Sequence, residues 1–185
     1  AKETNLMSIF RHFTVRDLII ITSIAALGIA IKPVINPVTK LISTPLGIPG
    51  GSITGGLYML WLVLAVVIVD KPFTGTLFGL LQSILVLLIG MAGKMGAFSL
   101  VAYTAPGIIA DLLFWLLPYK DKLITHLFLC GCANLTGSLI SSAIFFRMPA
   151  EIIVFNTCIA FSSGILGGYL GFGIYQSLKG ARIIQ

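Results

Sequence analysis

Between Asp17 and Leu178 the chain offers six apolar runs of near-membrane length, roughly 17–31, 53–69, 73–89, 98–117, 123–146 and 151–178, most of them closed by proline, glycine or charge. The stretch Ile53–Val69 contains no Asp, Glu, Lys or Arg at all. Such runs leave few solutions. A helix crossing ~30 Å of hydrocarbon needs about 20 mostly apolar residues, and in lipid only helices and closed barrels satisfy their own backbone hydrogen bonds. The runs are continuously apolar and do not alternate with period two, which argues against a barrel. The sequence therefore predicts an all-α membrane protein, a six-transmembrane-helix bundle forming one domain over residues 1–185. Pro33, Pro37, Pro45 and Pro49 lead us to expect no long helix across 32–51.

Composition agrees with that solvent. Hydrophobic residues make up 57% of the chain and charged ones 10%, where a soluble domain carries roughly 25%. Mean hydropathy is +1.05. The net charge of +6 does not point to nucleic acid, because the Lys and Arg residues sit singly between apolar runs and read as membrane-flanking charges. Residues 1–16 are polar and lead directly into more membrane, unlike a cleavable signal. With the N-terminus inside, Lys2, Arg11, Arg16, Lys71, Lys120, Lys122, Lys179 and Arg182 fall on the inner side, against Lys32, Lys40, Lys94 and Arg147 outside. The positive-inside rule then puts both termini in the cytoplasm.

Several chemistries find no residues to carry them. Gly90-Met-Ala-Gly-Lys-Met has neither the spacing nor the Ser/Thr of a P-loop, so the chain is not expected to hydrolyse ATP itself. No nucleophile–base pairing marks an enzyme. Cys130, Cys132 and Cys158 lie in apolar runs and read as small packing residues, an odd number that does not make a disulfide framework. His12 and His126 have no ligating neighbour at metal spacing, so neither a metal nor any other cofactor is expected. Asp111 is the one acid deep in a run. It reads either as a proton or cation site or as a carboxylate paired near the inner face.

Polar residues gather in the predicted outer half: Lys32, Tyr58, Trp61, Gln82, Lys94, Ser99, Tyr103, Asn134, Ser138, Ser141, Glu151 and Asn156. Polar groups in a bilayer face a cavity or one another, so the asymmetry suggests a pocket open to the outside, with helix-to-helix hydrogen bonds as the competing explanation. Asn134, Ser138 and Ser141 form one stripe at i, i+4 and i+7. Tyr58 and Trp61 suit a platform for a flat ligand or an interfacial belt. Pro106 should kink the fourth run beside Tyr103, and the 32–51 and 90–96 connections are placed to act as gates. Substrate-binding candidates are thus Tyr58, Trp61, Gln82, Lys94, Tyr103, Asn134, Ser138, Glu151 and Asn156. Two small-residue stripes allow close helix approach: Thr22, Ala26 and Ala30, and the pairs Gly164/Gly168 and Gly167/Gly171. The glycines read as internal packing, whereas the first stripe also suits a protein partner.

A six-run chain with Ala26-Leu-Gly-Ile-Ala30 on its first run and a proline- and glycine-rich first outer loop resembles the substrate-binding S component of energy-coupling factor transporters. The segment Gly56-Leu-Tyr-Met-Leu-Trp61 through Asp70-Lys-Pro72 and on to Pro106-Gly-Ile-Ile-Ala-Asp111 is similar to the subgroup associated with thiamine and its pyrimidine precursor. The resemblance implies a prokaryotic plasma-membrane binder of a small water-soluble vitamin or precursor, surrounded by membrane lipids. Its partners would be a transmembrane coupling subunit, met by the Thr22/Ala26/Ala30 face, and two cytoplasmic ATPases. Nickel and cobalt relatives carry a histidine-bearing N-terminus, which this chain lacks. The rival readings are a stand-alone ion-coupled secondary transporter and an assembly factor without a ligand; no clear three-plus-three repeat supports the first.

Overall fold

The computed structural model describes residues 13–117 and 121–181, with Lys94 described through its backbone alone. The described residues are helical throughout their ordered elements and contain no strand. Helix α1, Val15–Ala30, starts on a capping box: Thr14 Oγ1 accepts from the Asp17 N–H, and the Asp17 carboxylate accepts from the Thr14 N–H at 2.7 Å. Helix α2, Lys32–Leu46, follows after a 44° bend.

Helix α2, 15 residues long, corrects the expectation that four prolines forbid a long helix here. Pro33 occupies the first turn, where its missing N–H has no intrahelical role. Pro37 and Pro45 each remove one bond, to the carbonyls of Pro33 and Leu41, and the helix continues between them. The chain stops at Gly47, whose φ of 64° is the left-handed cap, with the Ile48 N–H reaching the Ser43 carbonyl.

The remaining helices are α3 (Gly50–Val69), α4 (Thr74–Leu88), α5 (Ser99–Leu116, after a 3-10 turn over Gly93–Phe98), α6 (Leu123–Ile140, ending in a π turn over Ser141–Phe145) and α7 (Ala150–Gly180). Pro106 lies inside α5, which is one continuous helix from Ser99 to Leu116. Four stretches are long and apolar enough to cross a membrane: Gly50–Val69, Met95–Leu116, Leu123–Phe145 and Ala150–Gly180. The bent pair α1–α2 makes a fifth. Six spans are therefore not reached by length. Helix α4 has 15 residues, about 22 Å at 1.5 Å per residue, short of the hydrocarbon thickness. Hydropathy along the sequence registers an apolar run but not where a helix stops.

Helix α3 is the centre of the bundle and touches every other helix, and so is apolar on all sides: Leu60, Leu62–Val67 and Val69 are buried. Its Gly56 lies against α7, where a Cβ on Gly167 would stand 2.1 Å from the Gly56 carbonyl oxygen. Ser163 locks the same contact, donating to the Ile53 carbonyl at 2.5 Å and accepting from the Gly56 N–H at 3.2 Å.

The polar caps identify two ends. At one, Lys71 meets Asp17 at 2.5 Å, Tyr175 donates to Asp121 at 2.5 Å, and Lys179 pairs with Asp121 at 3.2 Å. The N-terminus of α1 and the C-terminus of α7 lie here, at the Asp121 end. Arg147 and Glu151 mark the other. Contacts along α2 fix its course: Asn36 meets Tyr58, Thr39 meets Thr54, and Thr39 and Ser43 flank Gly50. Helices α1 and α2 therefore run together antiparallel to α3 as one broken span, with the break at the depth of Tyr58.

Candidate functional site

The break places Lys32 inside the bundle. Only 4% of it is exposed, and its ammonium donates to the Tyr103 hydroxyl at 2.9 Å. The same ammonium stands 4.2 Å from the Tyr103 ring centroid and 5.3 Å from that of Tyr58, a cation–π arrangement from two sides. The Tyr58 hydroxyl turns to Asn36 Oδ1 at 3.0 Å. Among the described residues no carboxylate reaches Lys32; the ion pairs found are those at the Asp121 end.

One turn deeper lie Gly28, Trp61 and Gln82. A Cβ on Gly28 would stand 2.7 Å from Gln82 Nε2 and 3.2 Å from Trp61 Cδ1, so the glycine lets α1 close over both side chains. Trp61 Nε1 and Gln82 Nε2 are buried and have no hydrogen-bond partner among the described residues. A buried donor left unmade costs about 1–3 kcal/mol, so two together, beside an unpaired ammonium, make an expensive spot in an apolar bundle. Such costs persist where a ligand relieves them. Tyr58 is turned toward Lys32 and Asn36, and Trp61 toward Gly28 beside Gln82.

The sequence candidates thus divide. Tyr58, Trp61, Gln82 and Tyr103 come together, joined by Lys32 and Asn36. Neither of those two was among the expected binding residues, because 32–51 read as a loop outside the bundle; the signal available was a lone Lys between apolar residues. Asn134, Ser138 and Asn156 form a second cluster, where α3, α6 and α7 meet. Asn134 Nδ2 donates to the Ala160 carbonyl at 2.7 Å, Asn156 Nδ2 to Ser138 Oγ at 2.8 Å, and Ser138 Oγ lies 2.7 Å from Ser52 Oγ. The room for Asn134 is made by Gly55, whose Cβ would overlap its side-chain oxygen. These are the helix-to-helix hydrogen bonds named above as the competing explanation, with Asn156 Oδ1 alone left unpartnered. Glu151 is exposed in the first turn of α7, and the Lys94 side chain lies outside the described atoms.

Other candidates fall elsewhere. Thr22, Ala26 and Ala30 are all exposed on one side of α1. Gly164 and Gly168 pack on the Cys130 and His126 carbonyls, which makes them internal. Asp111 accepts from the Gly75 and Thr76 N–H groups and the Thr76 hydroxyl, each at 2.7 Å. His126 is buried against the rings of Phe172 and Tyr175, at 5.3 and 5.2 Å, with both ring nitrogens unpartnered. Among the described residues no three His, Cys, Asp or Glu side chains form a metal-binding group. His12 and Lys120 lie outside the described residues. A cavity of about 580 Å³ opens between the α3–α4 turn and α5, lined by Lys71, Phe73, Asp111 and Trp115 among others. It lies near the Asp121 end, away from Lys32, and is mostly apolar. The Lys32 cluster is the better site because its unmade donors lie beside a buried ammonium held between two aromatic rings.

Residues 16–137 match the family model described as "ABC-type cobalt transport system, permease component". The matched stretch runs from α1 to Gly137 on α6 and contains every residue of the Lys32 cluster. No curated protein and no solved structure gives a match.

Proposed function

The chain belongs to the family of permease components of ABC-type cobalt transport systems, a membrane transport component, and we propose that it is the substrate-binding S component of an energy-coupling factor importer. The observation that carries this reading is the Lys32–Tyr58–Tyr103 cluster, with the unpartnered Trp61 and Gln82 donors beneath it, at the break of a discontinuous span. Membrane transporters place solute sites at such breaks, where irregular backbone lines a cavity. Aromatic walls with a few converging polar groups suit a small water-soluble organic molecule. A vitamin or vitamin precursor fits this description, with thiamine or its pyrimidine precursor the first candidates by resemblance.

The basic-residue count supports an inward-facing Asp121 end in a prokaryotic plasma membrane, so that solute enters from the Arg147 end. The exposed Thr22/Ala26/Ala30 side of α1 is the face we assign to a transmembrane coupling subunit, which in turn engages two cytoplasmic ATPases. Membership of an ATP-driven permease family supports such partners.

Native mass spectrometry of the purified chain, with uptake assays in cells carrying or lacking the ATPases, tests the reading. A co-purifying small molecule and ATPase-dependent uptake are expected. Uptake that persists without any ATPase partner would make the protein a stand-alone secondary transporter.

A further inference from the structure

We propose that the molecule bound at the Lys32 cluster presents an oxyanion, a carboxylate or phosphate group, to Lys32, Trp61 and Gln82; this rests on the substrate-binding reading above and specifies its ligand. The argument starts from what these groups are able to do. Lys32 and Trp61 only donate hydrogen bonds. Lys32 uses one of its N–H bonds on Tyr103, and Trp61 Nε1 and Gln82 Nε2 use none. Among the described residues, each fully buried side-chain atom left unpartnered at this cluster is thus a donor; the one such amide oxygen, on Asn156, belongs to the other cluster. A ligand that completes the site must supply acceptors.

Charge narrows the class further. An ammonium 4% exposed, without a carboxylate among the described residues, carries a large desolvation penalty. The faces of Tyr58 and Tyr103 offset part of it but bring no counter-charge. An oxyanion supplies both the charge and lone pairs for several donors at once, and charge-assisted bonds of this kind are the strong ones. A cation is repelled by the same ammonium, which disfavours bare cobalt(II) and the positively charged thiamine itself. A neutral ring answers the donors but not the charge.

The same geometry states how such a ligand enters. Gly28 packs α1 directly onto Gln82 and Trp61, so the donors are sealed beneath the α1–α2 break. Helix α2 packs on α3 through Asn36–Tyr58 and Thr39–Thr54, and parting of these contacts would open the cluster.

The test uses the full chain in detergent, with thermal shift and equilibrium binding. The probes are the aminopyrimidine alcohol of the thiamine precursor, its phosphate monoester, thiamine, inorganic phosphate and cobalt(II). We expect the monoester to bind at least tenfold more tightly than the alcohol or thiamine. Lys32→Met should erase that preference while raising the melting temperature of the ligand-free protein, since a buried unpaired charge is gone. Trp61→Phe, which removes the indole N–H, should weaken the monoester severalfold. Equal or tighter binding of the alcohol, thiamine or cobalt(II), unaffected by Lys32→Met, overturns the oxyanion and leaves the substrate-binding reading standing. An anionic phospholipid that native mass spectrometry finds on the wild type and not on Lys32→Met would mean a lipid headgroup, and overturns a transported oxyanion. Monoester binding and uptake that both survive Lys32→Met overturn the Lys32 site and leave the importer reading standing.

Discussion

Asp111 on α5 caps the N-terminus of α4 through Thr76: its Oδ2 accepts both the Thr76 N–H and the Thr76 hydroxyl at 2.7 Å, while Oδ1 takes the Gly75 N–H at 2.7 Å. Helix α4 has no side-chain cap of its own and begins after Phe73 in the left-handed region, φ 65°. A carboxylate from the neighbouring helix supplies what the local sequence lacks, and it sits at the positive end of the α4 dipole. Asp111→Ala should therefore destabilise the protein by about 2 kcal/mol or more, the range for a charged hydrogen-bonding partner removed from part-buried donors. Affinity for the co-purifying ligand should change little, because the Lys32 cluster lies toward the other end of α4. Thermal unfolding and a binding titration on one preparation separate the two; a large loss of affinity with unchanged stability contradicts the cap.

Glycines on α7 give a contrast within one helix. A Cβ at Gly167 would stand 2.1 Å from the Gly56 carbonyl oxygen, whereas at Gly173 it would meet nothing within 4 Å. Gly167→Ala should force α3 and α7 apart and cost roughly 1–3 kcal/mol, as overpacking does. Gly173→Ala should be neutral or stabilise by about 0.5–1 kcal/mol, the helix preference of Ala over Gly. Similar melting temperatures for the two variants would mean that the α3–α7 contact yields.

Asp121, in the turn before α6, has a carboxyl held below its ordinary value by the Tyr175 hydroxyl and then by Lys179. A depressed carboxyl contributes stability that is present above the unfolded-state value, near 3.9, and is lost as pH falls through the lower folded value. Melting temperature measured from pH 6 down to 3 should fall at the acid end. Tyr175→Phe should flatten that fall modestly, since the Asp121 side chain is 64% exposed and solvent screens the pair. An unchanged slope in Tyr175→Phe would show that other carboxylates carry the acid limb.

Thr22, Ala26 and Ala30 are exposed, whereas their neighbours Ile21, Ala25 and Ile29, about 100° round α1, are buried. Ala26→Leu with Ala30→Leu should therefore abolish ATPase-dependent uptake while leaving ligand binding by the isolated chain within about twofold. Parallel loss of binding and uptake would make the stripe part of the bundle's own packing.

Orientation is checked by single cysteines placed at positions 4 and 183 in a variant lacking Cys130, Cys132 and Cys158. Both should resist a membrane-impermeant thiol reagent in intact cells and react after lysis. Labelling of either from outside reverses the assignment of the Arg147 end to the exterior.

The sequence by itself determined the solvent and the class of structure, because apolar runs of this length admit little besides helices in lipid. It also determined most helix boundaries, through Asp70-Lys71-Pro72 after α3 and Met148-Pro149 before α7. It separated the packing glycines from the Ala26/Ala30 stripe only in part, since both have the same spacing; the packing of α7 on α3 and α6 decided which was internal. It brought forward Tyr58, Trp61, Gln82 and Tyr103 as candidates but could not tell them from Asn134, Ser138 and Asn156. All are polar groups at similar depth, and whether a group is satisfied depends on partners distant in sequence. Only the tertiary structure showed that the asparagines find Ala160 and Ser138, while the Trp61 Nε1 and Gln82 Nε2 donors find no partner among the described residues. Lys32 needed the structure most. Proline statistics describe hydrogen bonds lost within a segment, and they made 32–51 a loop; packing against α3 holds α2 helical despite those losses, and so carries a lysine to the depth of Tyr58.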